Sequence, residues 1–496
     1  MEFSSVFFLE IFLPASLLVY YLLSRLRSTE VCNAWLLAVS LLYYAWSGFA
    51  ALGLFIGFLA VNYGAGLLIE RARLSRRGNA GRRAGWIAGA AVSADLLLLI
   101  FYKYFPMLKG LAALVSSGNS FSEVMQSLLR SDASSLEQFR MLSLPLAVSF
   151  LTFQAISYLA DVAGGKTPAC RRPDRFALYM SFFPQLTQGP IMRYGELGPQ
   201  IVRREHSAEN IRSGLRRFCF GLGKKVLIAD ILAKTADQIW EIKHYADMGS
   251  RIAWFGIFLY TLQIYFDFSA YSDMAVGIGR LFGFRISENF NMPYTSLSVR
   301  DFWRRWHMTL SFWFRDYLYI PLGGSRCGTV RGCLNLLLVF AATGIWHGAN
   351  LTFWVWGLYF ALLVIAEKLF LGKWLEKNPV KLLNRLYSFF LVMMGWVLFR
   401  ADSLQRAGDY FSQLFSMKAS PLGYSVLSYL NPELLSALAA GILIGFFPRS
   451  LRRFTERHSE KTWFLVTDSL LQLIVLAVSL VFLISGSFKP SIYDRF

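Results

Sequence analysis

Long apolar stretches recur along most of this sequence and constrain its fold more than any other feature. They lie near residues 5–24, 34–48, 50–70, 86–101, 142–161, 214–236, 252–282, 333–349, 351–371, 385–400, 434–448 and 464–485. A helix needs about 20 apolar residues to cross a bilayer, so the shorter stretches must tilt or pair to do so. With 55% hydrophobic and 16% charged residues, the chain holds more apolar side chain than a soluble core requires. The sequence therefore predicts one all-α polytopic membrane domain over residues 1–496.

The orientation of this domain is predicted from its basic clusters. Cytoplasmic loops collect Lys and Arg, so the clusters at 70–83 and 166–175 are predicted inside, as is a third at 449–461. Counting spans from the first two places Met1 and the Ser-rich stretch 107–140 outside. Residues 1–5 contain no Lys or Arg and no small-residue cleavage site follows, so the first stretch is predicted to remain as a helix.

The net charge of +19 fits cytoplasmic loops and anionic lipid headgroups. No nucleic-acid motif interrupts the apolar pattern, so membrane lipid rather than nucleic acid is the expected partner of this charge. The five cysteines are odd in number, and Cys327 and Cys333 lack the spacing of a zinc site. We therefore predict neither a disulfide framework nor a metal site.

The predicted functional core covers about residues 185–360. Between Gln185 and Asn350 the apolar pattern is broken by Gly, Pro, Arg, Asp, Asn and His. Irregular backbone and ionisable groups at membrane depth persist only where they face protein or a water-filled cavity. The sequence favours the interpretation that the Asp267 and Asp273 carboxylates accept hydrogen bonds from Ser, Tyr or backbone donors. The alternative is a direct functional role.

An Arg- and Trp-rich block follows, RDFWRRWH, which closes on His307. It is typical of an interfacial helix whose arginines extend towards water, and such a helix also suits the phosphates of a donor such as coenzyme A. Asp316, which lies after this block, is predicted to pair with Arg315 or another local cation.

Two of the five histidines lie in unusual surroundings. His206, His244 and His458 are in polar stretches, whereas His307 follows the Arg-rich block and His347 lies in ATGIWHGANLTFWVW. Gly344 and Gly348 predict space for a ligand beside the His347 ring, and Asn350 offers a polar partner. A buried structural histidine is the commoner case, but an imidazole that takes a proton from a hydroxyl group favours acyl transfer. No GxSxG, P-loop or metal-ligand cluster points elsewhere, and composition also permits a secondary transporter.

These blocks resemble the membrane-bound O-acyltransferase family, specifically the bacterial branch that contains the alginate O-acetylation membrane subunit. The resemblance is carried by FLPASLLVYYLL at 12–23, LPLAVSFLTFQAISYLADV at 144–162, FFPQLTQGPIMR at 182–193, GLGKKVLIAD at 221–230, both histidine blocks and the final SFKPSIYDRF. It implies a ring of roughly 11 or more transmembrane helices, with short re-entrant or interfacial helices, around a central tunnel. A cytoplasmic donor pocket would meet a funnel open to the outside there.

The resemblance also implies the two catalytic residues. His347 corresponds to the family's catalytic histidine and His307 to its second active-site histidine, and no metal is expected. Residues expected to bind the donor or substrate are Arg304, Arg305, Trp306, Trp346, Asn350 and Asp267. The expected donor substrate is acetyl-CoA or another acyl thioester, with no bound cofactor.

The activity implied is acetyl transfer from a cytoplasmic thioester to a hydroxyl group of an extracytoplasmic, alginate-like polysaccharide, in the bacterial cytoplasmic membrane. Periplasmic acetyltransferases or polysaccharide-binding proteins are the expected partners. Within the family, D-alanyl transfer to teichoic acid and peptidoglycan O-acetylation remain open. A polysaccharide exporter without chemistry of its own is the alternative from another class.

Overall fold

The computed structural model describes residues 2–76, 78–116, 146–446, 457–458 and 461–486. Within these ranges every regular element is a helix, which confirms the predicted all-α class. Three predictions fall wholly or largely outside the described residues: the extracytoplasmic stretch 107–140, the basic cluster 449–461 and the terminal SFKPSIYDRF.

The α-helices are numbered in chain order. They are α1 Leu13–Ser24, α2 Thr29–Ala45, α3 Phe49–Arg73, α4 Ala80–Ser116, α5 Val148–Ala163, α6 Pro173–Ser181, α7 Phe183–Leu186, α8 Tyr194–Val202, α9 Ala208–Gly223, α10 Asp230–Trp240, α11 Gly249–Leu281, α12 Val299–Trp303, α13 Met308–Phe314, α14 Thr329–His347, α15 Leu351–Ala366, α16 Gly372–Lys377, α17 Lys381–Arg400, α18 Leu404–Phe415, α19 Pro432–Phe446 and α20 Thr462–Ile484. π-helical turns lie at Phe8–Phe12, Lys224–Ala229, Arg315–Tyr319 and Glu367–Leu371, and 3-10 turns at Tyr245–Asp247, Pro293–Thr295 and Val426–Tyr429.

Seven helices in the described part of the chain are long and apolar enough to cross a membrane. They are Phe49–Arg73, Ala80–Phe105, Gly249–Leu281, Thr329–His347, Leu351–Lys377, Lys381–Arg400 and Thr462–Ile484. Shorter apolar helices are Phe8–Ser24, Val148–Ala163 and Pro432–Phe446. The chain is therefore a multi-pass membrane protein, and several predicted spans are shorter than a bilayer requires. The stretch predicted near 214–236 is divided between α9, a π-turn and α10.

The chain forms two compact units. Unit 1 comprises Met1–Tyr102, Ser143–Leu222 and Tyr271–Glu288, and unit 2 comprises Lys103–Leu142, Gly223–Ala270 and Asn289–Phe496. Helices α4 and α11 contribute residues to both.

Unit 1 is held together by aromatic packing and partly exposed ion pairs. Phe3 stacks on Tyr271 with ring centroids 4.6 Å apart. Arg217 reaches Asp273 with an Nη2–Oδ1 distance of 2.7 Å and also contacts Glu288. Asp273, for which neutral donors were predicted, therefore has a charged partner from α9.

Unit 2 has a large aromatic and aliphatic core, in which Trp306, Trp356 and Trp396 are almost fully buried. Within it, α14 and α15 cross very closely at glycine. A Cβ atom added to Gly344 would lie 2.4 Å from the Phe353 carbonyl oxygen, and one at Gly357 would lie 2.4 Å from that of Phe340. These glycines therefore let two backbones approach each other.

That packing corrects one prediction from the sequence. Gly344 was predicted to leave room for a ligand beside His347, as was Gly348. The α15 backbone occupies the space beside Gly344, and a Cβ at Gly348 would lie 2.8 Å from the Phe353 ring. The space beside both glycines is filled by protein.

Candidate active site

Two buried histidines line one cavity in unit 2. His347 is the last residue of α14, and His307 lies between α12 and α13. Their exposed fractions are 3% and 2%. The cavity has a volume of about 220 Å³.

The cavity lies between two helical faces. One face belongs to α13 and the π-turn that continues it, with lining residues four positions apart: Ser311, Arg315 and Tyr319. The other belongs to α14: Leu336, Val339, Phe340, Thr343 and His347. The remaining lining residues are His307 and six large apolar side chains: Trp303, Trp306, Leu310, Phe314, Trp356 and Trp396. An apolar cavity with a few convergent polar groups is typical of a small-molecule site.

Aromatic rings hold the His347 imidazole. Trp356 and Phe399 each meet it edge-on, with centroids 5.1 Å away, and the Trp346 centroid lies 4.9 Å away. Hydrogen bonds and charges act more strongly in such low-dielectric surroundings than in water. The His347 ring is thus held in surroundings where nearby charges and hydrogen bonds strongly affect a proton transfer.

His307 has a left-handed backbone, with φ 42°, which is uncommon for a residue other than glycine. The segment around Asn289 supports this conformation. The Met308 amide donates to the Asn289 carbonyl oxygen at 2.9 Å, and the Asn291 amide donates to the Arg305 carbonyl oxygen at 2.9 Å. These bonds determine the direction in which the His307 side chain leaves the backbone.

The Asn289 side chain also selects the tautomer of His307. Its Oδ1 atom accepts from the Thr309 amide at 3.3 Å, so it is oriented as an acceptor. His307 Nδ1 lies 3.0 Å from the same oxygen and must therefore donate to it. Burial lowers the pKa of His307 to about 3, so the ring is neutral near pH 7. The proton then lies on Nδ1 and the lone pair on Nε2.

The Arg- and Trp-rich block divides between the cavity and its surroundings. Trp306 lines the cavity, whereas Arg305 forms a salt bridge with Asp301 at 2.9 Å. Arg304 is exposed. The arginine that lines the cavity is Arg315, and its predicted pairing with Asp316 is confirmed by an Nε–Oδ1 distance of 2.6 Å.

The other residues predicted to bind substrate lie beside the cavity or away from it. Trp346 lies near both histidines, with its ring centroid 6.5 Å from that of His307 and 4.9 Å from that of His347. Asn350 caps α15, because its Oδ1 atom accepts from the Thr352 amide at 3.1 Å. Asp267 forms a salt bridge with Lys225 at 2.8 Å. The structure thus joins His307, His347 and Trp306 at the cavity and gives Asn350 and Asp267 contacts elsewhere.

Two residues beside the site were missed by the sequence analysis. Asn289 lies in ENFNMPY, within the predicted functional core, and no pattern singled it out. Lys103 lies just past the predicted apolar stretch 86–101, and its ammonium group donates to the Trp346 carbonyl oxygen. A lysine within the apolar run FYKYF was the available signal. Over the residues that the structure describes, no group of three or more His, Cys, Asp or Glu side chains is arranged to hold a metal.

Comparison with known proteins gives consistent matches. The model of the membrane-bound O-acyltransferase family matches residues 173–406. The chain is 39% identical over 445 residues to the probable alginate O-acetylase AlgI of Pseudomonas aeruginosa, covering 90% of this chain and 79% of that protein. It is 37% identical to the protein of the same name from Pseudomonas putida, with full coverage of both. It is 34% identical to the peptidoglycan O-acetyltransferase of Helicobacter pylori, over 82% of this chain and 78% of that protein.

Proposed function

This chain belongs to the membrane-bound O-acyltransferase family, and from that premise we propose that it moves an acetyl group from cytoplasmic acetyl-CoA to an extracytoplasmic hydroxyl group. The acceptor is an alginate-like polysaccharide or a periplasmic partner protein that completes the transfer. The chain acts in the bacterial cytoplasmic membrane. There it forms a ring of roughly 11 or more transmembrane helices around a central tunnel. As a member of this family it is an acyltransferase, so the exporter alternative loses its basis.

One observation carries the proposal. Two buried histidines face a single apolar cavity, and one of them ends a helix long enough to cross the membrane. Acyl transfer needs a base beside the acceptor hydroxyl and a site that excludes water from the thioester. His347 and the apolar lining of the cavity suit these two requirements.

In the proposed reaction, His347 accepts the proton of the acceptor hydroxyl group. The oxygen attacks the thioester carbonyl carbon, a C–O bond forms and the C–S bond breaks. The proton then passes from His347 to the departing sulfur, and coenzyme A leaves as its free thiol. Only the neutral acetyl group crosses, which avoids moving a charged coenzyme through hydrocarbon.

We assign His307 to orienting the acceptor. With Nδ1 donating to Asn289, the Nε2 atom of this tautomer is a hydrogen-bond acceptor, which suits a hydroxyl group. A neutral ring in this tautomer has no Nε2 proton to donate to a thioester carbonyl. The tautomer therefore favours an acceptor-side role over a donor-side one.

The basic residues near the N-terminal end of α14 support entry of the acetyl-CoA donor from the cytoplasm. Arg326 and Arg331 flank the start of this helix, and Lys368 lies beside Gly332. Loops rich in Lys and Arg are typical of the cytoplasmic face. Arg315, which lines the cavity, has five N–H donors, of which two bond to Asp316, so it has donors left for a phosphate group. His347 lies about 27 Å along α14 from Thr329, towards the opposite membrane face.

Peptidoglycan is a second candidate acceptor. It is favoured by the 34% identity to the Helicobacter pylori peptidoglycan O-acetyltransferase. Both acceptors present sugar hydroxyl groups, so the same cavity chemistry serves either.

The test is transfer of radiolabelled acetate from acetyl-CoA to defined acceptors by the purified chain in detergent. Wild-type protein would be compared with His347→Ala and with His244→Ala, a matched change at an exposed histidine. We expect His347→Ala to lower the rate at least about 100-fold, the usual contribution of a general base, and His244→Ala to leave it unchanged. Label recovered in alginate would identify alginate as the acceptor, and label recovered in peptidoglycan would identify peptidoglycan. Equal transfer by His347→Ala and wild type, with both folded, would refute the role of His347.

A further inference from the structure

The end of α14, which carries His347, is held by side chains from α4. The last carbonyl groups of a helix have no partners within the helix. Here Lys103 Nζ donates to the Trp346 carbonyl oxygen, and the Tyr104 hydroxyl donates to that of Ile345. The Tyr104 hydroxyl also lies 3.4 Å from the Gly348 carbonyl oxygen.

The chemistry of both groups suits this position. A helix C-terminus carries a partial negative charge, which a lysine ammonium group complements. Lys103 also lies over the Trp346 ring, 5.6 Å from its centroid. A lysine near the end of a membrane span is costly unless it has such partners. Tyr104 is buried, so its hydroxyl group needs the acceptor that Ile345 provides.

We propose that Lys103 and Tyr104 are positioning residues for His347. His347 is the last residue of the helix and Gly348 continues in extended backbone, with φ 173°. Helix ends fray when their terminal carbonyl groups lose their partners. By holding the Ile345 and Trp346 carbonyl groups, directly before His347, the two α4 residues fix the direction of its ring into the cavity.

This inference rests on the proposed acetyl transfer, and it predicts a specific kinetic signature. Misplacing a catalytic group by 1 Å lowers its rate about 100-fold. We expect Lys103→Met to lower kcat about 10- to 100-fold while the KM for acetyl-CoA changes less than about twofold. Lys103→Arg keeps a cation and N–H donors at the carbonyl group and should restore most of the activity. A purely structural role would not be rescued in this way with donor binding intact.

Tyr104 offers a matched pair of variants. Tyr104→Phe removes only the hydroxyl group that bonds to α14, and Tyr102→Phe makes the same change two residues earlier on α4. We expect kcat to fall severalfold in the first and to stay at the wild-type value in the second. Equal kcat values for the two variants would overturn the assignment of Tyr104.

Hydrogen–deuterium exchange of the full chain in detergent gives a second readout that does not need activity. The amides of residues 344–350 should exchange at least about tenfold faster in Lys103→Met than in wild type, with the rest of the chain unchanged. If acetyl transfer is absent even in wild type but this local change occurs, the positioning contact stands and the proposed function fails. Wild-type kcat and wild-type exchange in Lys103→Met would overturn the proposal. Loss of donor binding, with faster exchange throughout the chain, would also overturn it, because Lys103 would then support the whole fold.

Discussion

Replacing Lys225 by methionine should strongly destabilise the chain, because this lysine lies between two buried carboxylates. Its ammonium nitrogen is 2.8 Å from Asp230 Oδ1 and 2.8 Å from Asp267 Oδ1. All three side chains are at most 4% exposed. Lys225→Met leaves both carboxylates in place without the cation that joins them.

The size of the effect follows from these distances. The two carboxylate oxygens lie no more than about 5.6 Å apart, since each is 2.8 Å from the same nitrogen. At an effective dielectric constant of about 20, two like charges at that distance repel by about 3 kcal/mol. Removing one partner from a buried ion pair typically costs about 3–5 kcal/mol. We therefore expect Lys225→Met to lower the free energy of unfolding by about 3–5 kcal/mol.

A triple variant separates charge from packing. Adding Asp230→Asn and Asp267→Asn to Lys225→Met removes every charge of the cluster at nearly constant volume. We expect this variant to recover at least half of the lost stability, because no uncompensated ion remains buried. Lys234→Met, at an exposed position on α10, is the matched control and should change stability by less than about 0.5 kcal/mol.

Unfolding would be followed by tryptophan fluorescence in mixed micelles with increasing denaturing detergent. A loss below about 1 kcal/mol for Lys225→Met would refute the electrostatic argument, as would a triple variant no more stable than the single one. The same variants test the predicted substrate role of Asp267. If the triple variant is folded and transfers acetate at the wild-type rate, Asp267 serves the fold alone.

Three further predictions concern the cavity. Asn289→Ala removes the acceptor of His307 Nδ1, so the rate of acetyl transfer in a steady-state assay should fall at least about tenfold. The rate should fall less in Asn289→Asp, which keeps an acceptor oxygen. Equal rates in the two variants would contradict this prediction. Because Arg315 lines the cavity and Arg304 does not, Arg315→Gln should raise the KM for acetyl-CoA more than Arg304→Gln, and the reverse ranking would favour Arg304 as the donor ligand. The folded-state pKa of His307, about 3, lies below its unfolded value near 6.5, so stability should fall as pH drops through this window. Thermal unfolding at pH 7, 5 and 4 should show a smaller loss in His307→Gln, and parallel losses would contradict this.

The fold class and the two candidate histidines could be picked out from the sequence because both depend on local patterns. Apolar runs near the length of a bilayer specify membrane helices, and the two histidine blocks carry the family resemblance. His307 and His347 are forty positions apart in the sequence, yet they line one cavity; their catalytic roles stay a prediction. Trp306 lines it as well.

The contacts of the ionisable side chains depend on helix packing that no local pattern specifies. Asp267 was predicted to have neutral donors, but its partner Lys225 lies 42 residues earlier in a π-turn. Gly344 was predicted to make room for a ligand, but α15 fills that room. In each case the residue type correctly indicated a close or polar contact. The element that provides the contact partner is determined only by the packing of the helices.

The same dependence makes His347, the proposed catalytic histidine, sensitive to distant changes. A side chain at the end of a helix projects past the last turn into a cavity, but that last turn has the fewest hydrogen bonds of its own. Its carbonyl groups must then be held from outside, and the Lys103 side chain that holds Trp346 is 243 residues away in the sequence. We therefore expect substitutions of Lys103 and Tyr104, which do not line the cavity, to behave as active-site substitutions. Their signature is a loss in kcat with the donor still bound.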